Sequence, residues 1–245
     1  MAPLRCTSLL ILALLPNAAH AAIIGNPVAR PSAGWLAVGV AADAQASVYD
    51  ARDCAGEACE AVWRPSQIGG RLELALLPGL GLQGGGAWMR ETISEATYAG
   101  RGGAWWGGVE AAVPVGDEIH IAAVGQIEHS ATREQASGST ELLGRAITTS
   151  VQLAGLLAWA PEDDSFALYG GVAFDPLHRQ FTALYDLDVE LELYPAAPFE
   201  GVVGMELRSG PLGLPWASSS GHMVVGIEAR VDRGLTGGLW LGVAY

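Results

Sequence analysis

The stretch Phe181-Thr-Ala-Leu-Tyr-Asp-Leu-Asp-Val-Glu-Leu-Glu-Leu-Tyr194 decides the fold class. Its odd positions, Phe181, Ala183, Tyr185, Leu187, Val189, Leu191 and Leu193, are all apolar. Its even positions include Thr182, Asp186, Asp188, Glu190 and Glu192, with Leu184 and Tyr194 as exceptions. Successive side chains of a strand point to opposite faces. Read as one strand, the run has an apolar face and an acidic face. On a helix the same charges would be smeared around the circumference.

The same period runs along the chain. In 36–48, Leu36, Val38, Val40 and Val48 alternate with Asp43, Gln45 and Ser47. In 68–76, Ile68, Leu72, Leu74 and Leu76 oppose Arg71 and Glu73. In 118–128, Ile119, Ile121 and Ile127 oppose Glu118, His120, Gln126 and Glu128. In 222–232, Met223, Val225, Ile227 and Val231 oppose His222, Glu228, Arg230 and Asp232. Glycine dilutes the pattern in 80–91, 99–113, 141–159, 166–175 and 199–208. Alternating segments of about 10 residues separated by turns are the signature of a transmembrane β-barrel. A closed barrel is also the one sheet whose backbone groups are all satisfied in lipid.

The expected fold is therefore all-β: a single antiparallel up-and-down transmembrane barrel of about 12 strands, with 10 as the alternative. Eleven segments are visible, whereas single-chain bacterial barrels have an even number. Either 23–33 adds a strand or one glycine-rich unit is not a separate crossing. Short connections are expected at Pro78-Gly79, 115–117, 161–164, 195–198 and 232–234. Longer ones are expected at 50–66, 92–98, 131–140 and 209–219. Trp159, Phe166 and Phe199 would mark one membrane interface and Phe181 and Tyr185 the other.

Residues 1–21 read as a signal peptide. Arg5 supplies the charge, Leu9 to Leu15 the apolar run, Pro16 its end, and Ala19-His20-Ala21 the small-x-small cleavage pattern. That run is too short to cross a bilayer as a helix. An N-terminal segment (22–33) and the barrel (34–245) would follow. No later stretch offers about 20 uninterrupted apolar residues.

Half the residues are hydrophobic, only 16% are charged, and 33 are glycine. There is no lysine, and 26 acidic residues face 13 arginines. A nucleic-acid surface needs a basic stripe and is excluded on that balance. Cys6 leaves with the signal. Cys54 and Cys59, exported together, are expected to form a disulfide across a small loop. A metal site would need further ligands there.

The last residues, Leu239-Trp-Leu-Gly-Val-Ala-Tyr245, end on an aromatic preceded by Val243, Leu241 and Leu239 at alternate positions. This ending resembles the terminal strand of bacterial outer-membrane β-barrels. The resemblance implies an outer-membrane location and recognition by the barrel-assembly machinery. Gly25-Asn26-Pro27 with Pro31-Ser32 is similar to the mature start of chlamydial major outer-membrane porins, over fewer than ten positions.

Alternation assigns the lumen: Asp43, Arg71, Glu73, Glu110, His120, Glu128, Asp186, Asp188, Glu190, Glu192, Glu206, Arg208, Glu228 and Arg230, with Glu118 added by the same rule. Acids outnumber arginines there, and acidic linings favour cations. A narrow cation-preferring pore for small cations or solutes is one reading. A barrel filled by its own side chains, serving structure or surface interaction, is the other. A rim hydrolase would need a base, and His120, His129, His178 and His222 are the candidates. None stands in a recognised catalytic motif. No cofactor is expected, and outer-membrane lipid is the expected surrounding.

Overall fold

The computed structural model describes residues 24–25, 36–52, 58–92, 98–136, 142–161, 165–175, 179–184, 189–195, 199–211, 221–231 and 235–245. It is all-β and closed. The strands are β1 (Leu36–Arg52), β2 (Ala58–Leu77), β3 (Leu80–Thr92), β4 (Tyr98–Pro114), β5 (Ile119–Ala136), β6 (Leu142–Trp159), β7 (Phe166–Phe174), β8 (Arg179–Leu184), β9 (Val189–Pro195), β10 (Phe199–Arg208), β11 (His222–Val231) and β12 (Leu235–Ala244). Every pairing is antiparallel, and β12 closes onto β1 from Ala37↔Ala244 to Ala46↔Leu235.

Among the described residues, twelve strand segments make ten staves. β7 and β8 both pair with β6, at Leu153↔Phe174 and Thr149↔Arg179, and so lie end to end along it. β9 and β10 continue one another in the same way, since Phe174↔Phe199 and Gln180↔Leu193 keep one register. The count is thus the smaller of the two expected, and it is even.

The run 181–194 is not one strand. β8 ends at Leu184 and β9 starts at Val189, and these two residues pair across a hairpin. Period-two alternation survives a reversal when no Gly or Pro interrupts it, which is why the sequence conceals this one. The supposed turn at 195–198 instead interrupts a stave, where the chain leaves β1 at Tyr49↔Pro195 and takes up β11 at Gly201↔Val231. Proline lacks the N–H a ladder needs, so a change of partner accommodates it. With that correction, Arg208 and His222 lie at the end that carries Pro78-Gly79, and Val231 and Leu235 at the opposite end. Both Leu36 and Tyr245 lie at the former end, bonded N–H to C=O in each direction at 3.0 and 2.8 Å.

Segments expected as long loops are largely strand. β1 and β2 pair as far as Arg52↔Ala58 within 50–66, and β4 and β5 as far as Tyr98↔Ala136 within 131–140. β11 and β12 stop at Val231 and Leu235, and above them β9 pairs directly with β1 from Tyr49↔Pro195 to Arg52↔Glu192. Ten staves close the lower tier, while eight strands close the upper one. An eight-stranded section is just wide enough for its own side chains.

The outward face is apolar around the lower tier. Val40, Ile68, Val109, Ile121, Leu157, Val172, Val203, Leu239 and Leu241 stand about half exposed or more. A contiguous girdle of this size is far beyond what soluble monomers show, and it fits lipid. At the lower rim Trp159 meets Phe166 edge-on at 5.2 Å and donates from Nε1 to Glu118 Oε2 at 2.8 Å. Glu118 is thus an exposed rim residue rather than a lumen one, because the strand begins only at Ile119.

Candidate functional site

The interior combines apolar walls with buried polar groups. Ala122, Val124, Ala154, Leu156, Ala158, Tyr169, Ala173 and Val202 line one wall, and Ala37, Ala41, Ala75, Val224, Trp240 and Ala244 another. Buried polar groups stand among them. Arg71, Glu73, Glu110, Glu128, Glu206, Glu228 and Arg230 are all buried. Gln67, Gln83, Gln126 and Gln152 are buried with them.

Two arginine-centred clusters organise these polar groups. Arg71 Nε donates to Glu73 Oε1 at 2.7 Å, and its Nη2 donates to Gln83 Oε1 at 2.8 Å. Its guanidinium lies 5.5 Å from the Trp240 ring centre, the range of a cation–π contact. Arg230 Nε donates to Glu228 Oε1 at 2.7 Å, and its Nη1 reaches Gln152 Oε1 at 2.9 Å and Glu200 Oε1 at 3.2 Å. Arg208 pairs with Glu206 at 3.3 Å, and Gln67 donates to Asp43 at 2.7 Å. The i, i+2 spacing of Arg71/Glu73, Glu206/Arg208 and Glu228/Arg230 puts both partners on one face of one strand.

A third element joins the two clusters. Ile24 and Gly25 sit inside the barrel. Glu228 accepts from the N–H of Ile24 at 3.2 Å and of Gly25 at 3.1 Å, and from Tyr169 Oη at 2.9 Å. Arg71 Nη2 donates to the Ile24 carbonyl at 3.0 Å. The Ile24 side chain is fully buried against the apolar wall of Val124, Leu156 and Val202. Gly25 has φ +76°, and a Cβ there would collide with the Arg71 guanidinium, so the position requires glycine. Gly204 has a related reason: a Cβ would meet the Tyr169 ring that carries the hydroxyl to Glu228. The N-terminal segment was expected to be either an added strand or a leader to the barrel. Its two described residues are instead a peg held in the lumen.

The remaining expected residues separate. His120 lies near the lower rim, and His222 Nδ1 is 3.0 Å from the Ser209 carbonyl there. His129 faces outward against Trp105, ring centres 5.7 Å apart, with Thr149 Oγ1 2.9 Å from Nδ1. His178, Asp186, Asp188 and Cys54 lie outside the described residues. Glu190 and Glu192 are on β9 and Cys59 is on β2. Leu239 and Leu241 face outward, while Trp240 between them is 1% exposed in the lumen. Sequence reasoning missed Glu200 and the peg. Glu200 shares the parity of Glu206, but it was masked by reading 195–198 as a turn. The peg leaves no periodic signal.

This is the fold of an outer-membrane β-barrel: closed, antiparallel, apolar outside and polar within. No family model matches the chain and no curated protein matches it in sequence, so the expected likeness to chlamydial porins is not shown. Among solved structures, the translocator domain of the autotransporter NalP from Neisseria meningitidis is similar with a TM-score of 0.53 at 13% identity, covering 91% of each chain. The outer-membrane protease OmpT from Escherichia coli matches with a TM-score of 0.43 at 10% identity, over 86% of this chain and 95% of that one. The Ail attachment protein of Yersinia pestis gives 0.35 at 11% identity, over 87% and 99%.

Proposed function

We propose that the protein is an integral β-barrel of the bacterial outer membrane whose lumen is closed at rest, serving as a structural or surface-presenting barrel. The observation that carries this reading is the clamp on Ile24-Gly25, which ties backbone to both arginine clusters inside the lumen. The apolar walls and the eight-stranded upper tier add to it. Cleavage after Ala21 would start the mature chain at Ala22, so the clamped dipeptide would stand at its extreme N-terminus. Export, assembly through Leu239, Leu241, Val243 and Tyr245, and a Cys54–Cys59 disulfide belong to the same reading. The test is extraction and conductance together. Detergent, not carbonate, should release the protein, and the intact chain should be silent in a planar bilayer. Carbonate release or steady conductance would sink the reading.

A second reading, a narrow cation-preferring pore, is favoured by the lumen charge. The described inward acids Asp43, Glu73, Glu110, Glu128, Glu200, Glu206 and Glu228 outnumber Arg71, Arg208 and Arg230. Such a lumen would pass cations once the peg left.

A further inference from the structure

The strand register places four arginines in one row on the outside of the barrel. Arg90 on β3 pairs with Arg101 on β4, Arg101 with Arg133 on β5, and Arg133 with Arg145 on β6. Directly paired residues share a face, and all four are exposed. Neighbouring strands lie about 4.8 Å apart, so the row spans about 14 Å. Like charges placed opposite one another destabilise a sheet, yet none of the four forms an ion pair among the described residues. The chain carries a net charge of −13, and these are four of its 13 arginines. Such a row calls for an external anion.

Its depth identifies the anion. The outward face of β5 runs Ile119, Ile121, Ala123, Gly125, Ile127, His129, Ala131, Arg133. With a rise of about 3.3 Å and a tilt of about 45°, His129 stands about 23 Å above Ile119, and Arg133 about 33 Å. An apolar band about 25 Å tall therefore ends at His129, and Arg133 lies beyond it, level with headgroups. Trp88 and Trp105, both about half exposed, lie just below the row, where interfacial aromatics belong. The row is at the end opposite Leu36 and Tyr245. With both termini in the periplasm, that end meets the outer leaflet.

The geometry points to Arg90, Arg101, Arg133 and Arg145 as a binding ridge for the phosphate groups of an outer-leaflet phosphorylated glycolipid. Guanidinium groups grip phosphate bidentately, and one per strand allows several phosphates to be held along the ridge. The inference rests on membrane embedding, and carbonate extraction tests that embedding separately.

The probe is diphosphorylated lipid A, compared with the same glycolipid stripped of phosphate, binding to the full-length barrel in detergent micelles. Each basic residue near an anionic surface strengthens binding by about fivefold before screening, so wild type should prefer the phosphorylated form by at least about tenfold. R90Q/R101Q/R133Q/R145Q should lose that preference while keeping the heat-modifiable gel mobility of a folded barrel. If that variant does not fold, R90Q/R101Q and R133Q/R145Q should each lower the preference. Inorganic phosphate at millimolar level should not compete. Equal binding of the two glycolipids by wild type, or undiminished preference in the folded variants, would overturn the inference. Competition by inorganic phosphate would assign the ridge to a soluble anion instead.

Discussion

Arg71 and Glu228 grip one dipeptide from two strands of the barrel wall. β2 carries Arg71 and β11 carries Glu228, three steps apart in the sheet. Arg71 donates to the carbonyl of Ile24, while Glu228 accepts from the N–H groups of Ile24 and Gly25. Both side chains also pair with a neighbour two residues along their own strand. The peg is thus built into the buried charge network rather than lodged in an empty bore.

Glu228→Ala should be severe. It removes the shared acceptor of two backbone N–H groups and Tyr169, and strips Arg230 of its nearest carboxylate. Breaking a buried pair by deleting one partner costs about 3–5 kcal/mol. Urea unfolding of the reconstituted barrel measures it. A loss below about 1 kcal/mol, the scale of a surface ion pair, would mean the network is solvated rather than buried.

Tyr169→Phe removes only the hydroxyl to Glu228, so it should cost about 1–3 kcal/mol. Gly204→Leu should cost more, since its side chain must occupy the space of the Tyr169 ring. The same unfolding assay orders the two, and the reverse order would contradict the packing described.

Removing the peg should open the lumen. A mature chain lacking residues 22–26, and separately Gly25→Val, should both raise single-channel conductance above that of the intact protein. Their current should prefer cations, because inward acids outnumber inward arginines. Silence in both variants would place the block in the side chains alone, and anion selectivity would contradict the lumen assignment.

Position along one stave should set the cost of an outward charge. Leu153 stands near mid-height on β6, and Leu153→Arg should cost about 2–4 kcal/mol in folding into lipid vesicles. Ile147, two residues from Arg145 on the same outward face, should tolerate arginine at about 0–1 kcal/mol. Equal costs would mean the apolar girdle does not sit in hydrocarbon.

The sequence by itself determined the barrel and most of its faces. Ile121 and Ile127 oppose Gln126 and Glu128, and in the structure the first two face outward while the second two are buried. Side-chain alternation is a local property of a strand, so it can be read without knowing any partner. Arg71/Glu73 and Glu228/Arg230 were legible for the same reason. What pairs with what is not local. The hairpin hidden between Leu184 and Val189 joins two strands whose alternation runs on unbroken, with no Gly or Pro between them. Only closure of the sheet shows that β9 pairs with β1, and that ten staves become eight. The peg and the arginine row were likewise decided by the tertiary structure. Ile24 lies 204 residues from Glu228, and the four arginines are scattered from 90 to 145. Register alone brings them together, because each hydrogen-bonded step between strands converts a distant position into a neighbour.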